Sequence, residues 1–298
     1  MSSSHDYHQD KRNNKVKIYI NGKFYLRDKA KISVFDSSVM LGDGCWDSLR
    51  YHNKKFIFLN DHIKRLYKDA DLIDLKIHLK PKELIQALNK TISVNKMVSD
   101  VHIRIIVSRG IKSTPYQSPD VTISKPTIII IPEYKKPDNK IYKKGLKLVT
   151  VNIIRGPKNV QDPQINSLSK LNCILACIQA SKKGGEEALM FDINGNIATN
   201  NSTHFFYIKK NIVYTSIGKY CVTGITRQKV IDICKKNKIN TKQKNFKLRD
   251  VLKADEAFAT GTFAGIVPIR QINNKKFLIK KDNLTFKILN LYNQLINI

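Results

Sequence analysis

Acidic residues are scarce in this chain. It has 24 Asp and Glu against 53 Lys and Arg in 298 residues, a formal net charge of +29. Such an excess attracts polyanions. The lysines are scattered, however, and no aromatic residues interleave with basic ones on a strand face, as a base-stacking platform requires. The charge is read as solvated lysine-rich faces, and nucleic acid is not expected as a partner. Cysteine is also sparse. Five thiols, at 45, 173, 177, 221 and 234, make an odd number whose spacing fits no disulfide framework or zinc knuckle. Cys173 and Cys177 lie one helical turn apart with no His or further Cys nearby, so buried reduced thiols are expected, no metal, and a cytoplasmic setting. No apolar run approaches the length of a membrane span. The first 14 residues, MSSSHDYHQDKRNN, contain no apolar stretch that would make a signal peptide. They read as a solvated tail, in which His5 and His8 are at best weak metal ligands.

The remaining composition, 42% hydrophobic and 26% charged, is that of a globular protein long enough for two cores. VKIYINGKFYL (16–26) predicts a hairpin turning at Asn21-Gly22. Strands and then a helix follow through 33–75, with Asn60 or Asp61 as the helix N-cap. PKELIQALNKTISVN (81–95) has helical spacing, while 101–110 and 125–134 are β-branched strands. The segment 134–145 is poor in apolar residues, contains Pro and Gly, and reads as a linker. Beyond it come a strand, a helix from about Leu168 to Lys182, several strands, a helix at TRQKVIDICKKN and a final helix at FKILNLYNQLINI. The expected organisation is a tail (1–15), a small α+β domain (16–133), the linker (134–145) and a larger β-rich α+β domain (146–298).

Several stretches carry chemistry. FDSSVMLGDGCWDSLR (35–50) puts glycines at a tight strand connection beside Trp46. LNDHIKRLYKDADLI (59–73) holds an H-x-x-R-L at His62–Leu66, and the planar fork of Arg65 suits a phosphate. HIRIIVSRG (102–110) places His102 and Arg104 on one strand face. TGITRQKVIDIC (223–234) opens a helix whose first N–H groups, those of Ile225 and Thr226, suit an anion. FATGTFAGIVPI (258–269) holds Gly261 and Thr262. The run NSLSKLNCILACIQASKKGGEEALMFDINGNIATNNSTHFF (166–206) completes the set.

In this order the six stretches resemble the class IV, fold-type IV, pyridoxal-phosphate-dependent aminotransferases, the group of branched-chain and D-amino acid aminotransferases and aminodeoxychorismate lyase. The resemblance spans roughly residues 16–298. It implies a two-domain α+β fold with the cofactor site between the domains, and a homodimer. It implies that Arg65, Ile225, Thr226 and Thr262 hold the cofactor phosphate and that Trp46, His102, Arg104 and Gly261 face the substrate. The sequence departs from the pattern at two places. Laid on without gaps, the family's cofactor-linking lysine falls on Asn166, and the glutamate that keeps the pyridine nitrogen protonated falls on Thr199, or on the amide of Asn200 after a one-residue slip. The nearest lysine, Lys170, reaches the linking position only through a local deletion. Thr223 stands where the family mostly has Pro, and His-x-Arg at 102–104 matches neither the branched-chain nor the D-amino acid subgroup.

Three functions follow as expectations. The first is a pyridoxal-phosphate aminotransferase, most simply of the branched-chain kind, passing an amino group to a 2-oxo acid with Lys170 as the catalytic amine. The second is a family member that holds the cofactor or another anion without transaminating. The third is a basic binding protein on the same scaffold.

Overall fold

The computed structural model describes residues 4, 5 and 9–297. It separates into two compact units. The first runs through Lys136 and takes in Ile165–Lys170; the second holds Pro137–Gln164 and the chain from Leu171 onward, together with Ser4 and His5. The division after Lys136 falls inside the segment read as a linker, although part of that segment is ordered helix (Lys140–Lys144).

The first unit is built from β1 (Lys17–Ile20), β2 (Lys23–Leu26), α1 (Ser37–Leu41), β3 (Gly44–His52), β4 (Lys55–Phe56), α2 (Leu59–Asp71), α3 (Pro81–Val94), β5 (Val101–Ser108) and β6 (Thr127–Tyr134). Its six-stranded antiparallel sheet has the order β2-β1-β6-β5-β3-β4. Alternation along a strand sorts the residues onto two faces. On one face Leu49, Ile103, Ile105, Ile128 and Ile130 form a core with Leu66 of α2 and Leu84 and Leu88 of α3. Truncating any of these to Ala costs about 2–5 kcal/mol. The other face carries Trp46, Ser48 and Arg50 of β3, which pair with Ile106, Arg104 and His102 of β5 respectively. The N-cap of α2 is Phe58, in a left-handed conformation, so Asn60 and Asp61 lie inside the first turn and do not cap it; Asp61 there complements the helix dipole. Residues 11–15, expected in the tail, form a short 3-10 turn. It is capped by Asp10 and tied down by Asn13, which bonds both the N–H and the carbonyl of Tyr134. Residues 1–3 and 6–8 of that tail, with His8, lie outside the described residues.

The second unit holds α4 (Lys140–Lys144), β7 (Leu146–Thr150), α5 (Leu171–Lys182), β8 (Glu187–Phe191), β9 (Ile197–Asn200), β10 (His204–Lys209), β11 (Ile212–Thr215), α6 (Ile225–Lys236), β12 (Thr241–Gln243), α7 (Leu248–Val251), β13 (Glu256–Gly261), β14 (Gly265–Ile272), β15 (Lys275–Lys276) and α8 (Leu284–Ile296). A mixed sheet runs β12-β11-β10-β13-β14-β7-β8-β9, with β15 on β14. Its core includes Leu146, Leu148, Phe205, Tyr207, Val267 and Ile269, and α6 and α8 pack on β13 and β14.

The helix expected from about Leu168 starts at Leu171 because the preceding residues have another partner. Asn166 accepts the Trp46 N–H (3.0 Å), Leu168 donates to the Gly44 carbonyl (3.0 Å), and Ser167 sits opposite Cys45 as an antiparallel bridge. The approach requires glycine at 44. Its φ is +152°, and a Cβ there would lie 2.3 Å from the Val107 carbonyl oxygen and 2.7 Å from a methyl of Leu168.

Candidate functional site

In the first unit a buried carboxylate organises the cationic groups. Asp47, fully buried, accepts two bonds from the Arg65 fork, Nε to Oδ2 at 2.9 Å and Nη2 to Oδ1 at 2.7 Å. His62 Nδ1 lies 2.8 Å from the same Oδ1, and since a carboxylate only accepts, that nitrogen carries the proton. The three side chains meet because His62 and Arg65 are three apart on α2, on the face turned toward β3. Burial alone pushes the Asp47 carboxyl up, but Arg65 and then His62 outweigh it and hold the group below the ordinary carboxylate range. The same pair raises Arg65 despite its burial. Arg65 is thus a fixed, permanently charged fork.

Four residues along α2, Asp69 accepts the backbone N–H of Asn166 at 2.9 Å. Its carboxyl is pushed up to about 6, by burial first and by Asp47 among the charges. Burial and the Asp69, Asp47 and Asp43 carboxylates push the Cys45 thiol up to about 12, which leaves it a protonated core group. The Asn166 side chain is buried (6% exposed). Trp46 is held edge-on by its Nε1 donating to the Ser167 carbonyl at 3.1 Å. The Arg104 guanidinium lies 4.0 Å from the Trp46 ring centroid, and Lys170 Nζ lies 5.7 Å from it. Burial lowers the pKa of Arg104. The structure therefore gathers Trp46, Arg104 and Lys170 around one indole, sets His102 beside Arg104 on the sheet, and puts Arg65 with Asp47 on the opposite side of β3.

The second unit brings Thr199, Ile225, Thr226, Gly261 and Thr262 into its own loops. The N-cap of α6 is Gly224, which provides no side-chain cap, so the first N–H groups of this 12-residue helix are left for an outside acceptor. Glycine is needed there because a Cβ would sit 2.3 Å from His204 Cε1, and His204 Nε2 is fixed 2.8 Å from the Val222 carbonyl. Thr199 Oγ1 donates to the Thr203 carbonyl at 2.8 Å, which leaves its oxygen lone pairs for any ligand. Asn200 Nδ2 donates to Thr203 Oγ1, which in turn donates to Glu187. Glu187 also takes a short bond from Ser4, and burial raises its carboxyl. Thr203 packs beside Gly261, and Thr262 stands in the turn between β13 and β14. The Thr260 hydroxyl just before it is buried without a partner among the described residues.

Asp47, Asp69 and Glu187 escaped the sequence reading. Asp47 had a signal, as the acidic letter of the block around Trp46, and Asp69 had a weaker one, four residues from Arg65 on the same helix face. Glu187 had none beyond its place at the start of a strand.

A locked guanidinium in one unit and an uncapped glycine-led helix start in the other are the fittings of a protein that takes a phosphate-bearing ligand. Residues 44–272 match the family Amino-transferase class IV. A protein of Methanocaldococcus jannaschii with a provisional branched-chain-amino-acid aminotransferase name is 35% identical over 267 residues, 88% of this chain and 91% of the relative. The D-alanine aminotransferase of Bacillus licheniformis is 26% identical over 87% of this chain and 89% of its own length. Two branched-chain-amino-acid aminotransferase-like proteins of Arabidopsis thaliana, 32% identical, are longer, and the match spans 47% of each. The crystal structure of the Thermoproteus uzoniensis branched-chain aminotransferase with norvaline superposes with a TM-score of 0.84 at 26% identity, covering 94% of both chains. The Thermus structure complexed with N-(5'-phosphopyridoxyl)-L-glutamate gives 0.85 at 24% identity and shows the fold alone. The chain belongs to the class IV aminotransferase family and has its fold-type IV α+β fold. The cofactor of this family is pyridoxal phosphate.

Proposed function

We propose that the protein is a pyridoxal-phosphate-dependent aminotransferase acting on amino acids of the branched-chain kind, with a 2-oxo acid as acceptor. The observation that carries this reading is the lock of Arg65 by Asp47 and His62, which fixes a charged fork in advance of any ligand. Arg65, the N–H groups of Ile225 and Thr226, and Thr262 would hold the coenzyme phosphate. Thr199, its own proton given to Thr203, would offer an acceptor to a protonated ring nitrogen. Bound pyridoxal phosphate supplies a ring that withdraws electrons from the amino acid Cα. Arg104 would pair the substrate carboxylate, with Trp46 as a wall and His102 and Gly261 beside it. A homodimer is supported by α5, whose Leu171, Ile174, Leu175 and Ile178 form an apolar stripe 42–64% exposed. The described residues include no helix long and apolar enough to cross a membrane. The five free thiols support a cytoplasmic setting.

A second reading, a coenzyme holder that does not transaminate, is favoured by Asn166, whose amide cannot link to an aldehyde. Fluorescence titration with pyridoxal phosphate, followed by assays of leucine, isoleucine and valine with 2-oxo acids, separates the two. Binding with amino transfer supports the first. Binding without transfer replaces it with the second, and the absence of binding ends both.

A further inference from the structure

We propose that Lys170 is the amine that joins the cofactor aldehyde, acting from its own place in the chain and not from position 166. This rests on the pyridoxal-phosphate reading above.

Position 166 cannot serve. It is an asparagine whose amide nitrogen is no nucleophile, and its backbone is fixed on both sides by the Trp46 N–H and the Asp69 carboxylate. With Leu168 also bonded to Gly44, the segment cannot slide four residues to carry Lys170 into that place. Lys170 stands where such an amine is useful. It is half-buried, it lies ahead of the first turn of α5, and its Nζ is 5.7 Å from the centroid of the Trp46 ring. The Arg104 guanidinium lies 4.0 Å from the same ring. An amino acid whose carboxylate pairs with Arg104 carries its Cα one bond from that carboxylate, so Cα comes to the indole that Lys170 flanks. One side chain could then join the aldehyde and later carry the Cα proton. In the joining step the neutral amine nitrogen adds to the aldehyde carbon. A carbon–nitrogen double bond replaces the carbon–oxygen one, and the aldehyde oxygen leaves as water with the two nitrogen protons. No oxidant or reductant is needed.

The test uses the full chain incubated with pyridoxal phosphate, reduced with borohydride, digested and mapped by mass spectrometry, with binding followed separately by fluorescence. The expected adduct is on Lys170. Lys170→Met, which keeps an unbranched stem, should retain coenzyme affinity to within about threefold, since the phosphate holds most of the ligand, while losing the adduct. The double variant Asn166→Lys/Lys170→Met reports whether the aldehyde faces this segment; an adduct at position 166 in that variant shows that it does. Bound coenzyme with no reducible adduct, or with the adduct on another lysine, overturns the assignment and leaves the coenzyme reading standing. No binding at all removes both.

Discussion

Replacing Asp69 with Asn should stabilise the protein at neutral pH and leave it nearly unchanged in mild acid. Asp69 is 2% exposed, and its carboxyl is pushed up to about 6. An unfolded Asp titrates near 3.9. Below about pH 4 the group is protonated in both states and contributes nothing. As pH rises toward 6 the unfolded chain ionises freely while the folded one resists, so stability falls. The gap of about two pH units is worth up to about 3 kcal/mol above pH 6. Asn keeps the oxygen that accepts the Asn166 N–H and removes the charge. At roughly 2 °C per kcal/mol for a chain of this size, the variant should melt up to about 6 °C higher at pH 7.5 and close to wild type at pH 4.5. Scanning calorimetry or urea unfolding at the two pH values checks this. A variant equally or less stable at pH 7.5, or one with the same gain at both pH values, refutes burial as the cause. Asp47 works in the opposite direction. Its depressed carboxyl contributes stability above the unfolded value, and this is lost as pH falls below about 4 through the folded one. The wild type should therefore be most stable near pH 4–5.

Arg65→Lys keeps the charge but loses the fork onto Asp47, and should weaken pyridoxal-phosphate affinity about 10-fold in a fluorescence titration; unchanged affinity would remove Arg65 from the phosphate reading. Gly224→Ala drives a Cβ into the His204 ring and should cost about 1–3 kcal/mol in urea unfolding, with partial rescue by His204→Ala. Ile174→Glu puts a charge in the exposed α5 stripe and should shift the protein to monomer in analytical ultracentrifugation, while a variant that sediments like wild type would clear this helix of a role in self-association.

The core strands could be read from the sequence because their patterns are local. The β-branched runs became β5 and β6, and the glycine-rich block with its acidic letter became β3. Arg65 could be singled out because His62 and Leu66 flank it in a recognisable order. What could not be read was pairing over long separations. The bonds from 166–168 to 44–46 cross about 120 residues and leave no trace in the composition of either segment. They shortened α5 by three residues, and they grouped Ile165–Lys170 with the first unit although its neighbours on both sides belong to the second. The 11–15 turn was missed for the same reason, since its anchor, Tyr134, lies 121 residues from Asn13.

Whether Lys170 can take over position 166 is therefore a question of energy. Sliding the segment by four residues would break the Asn166–Trp46, Leu168–Gly44 and Asn166–Asp69 bonds and unwind the first turn of α5. At about 0.5–1.5 kcal/mol for each hydrogen bond, more for the one to a charged carboxylate, the cost runs to several kcal/mol before Asp69 is left without its partner. No residue of the segment regains that. The amides of Trp46, Asn166 and Leu168 should then exchange with solvent deuterium as slowly as those paired between β3 and β5. Should the amides at 166 and 168 exchange within the dead time while Ile103 and Ile105 stay protected, the segment would be free to move. Lys170 could then reach the place of Asn166 after all, and the need for it to act from a second position would vanish.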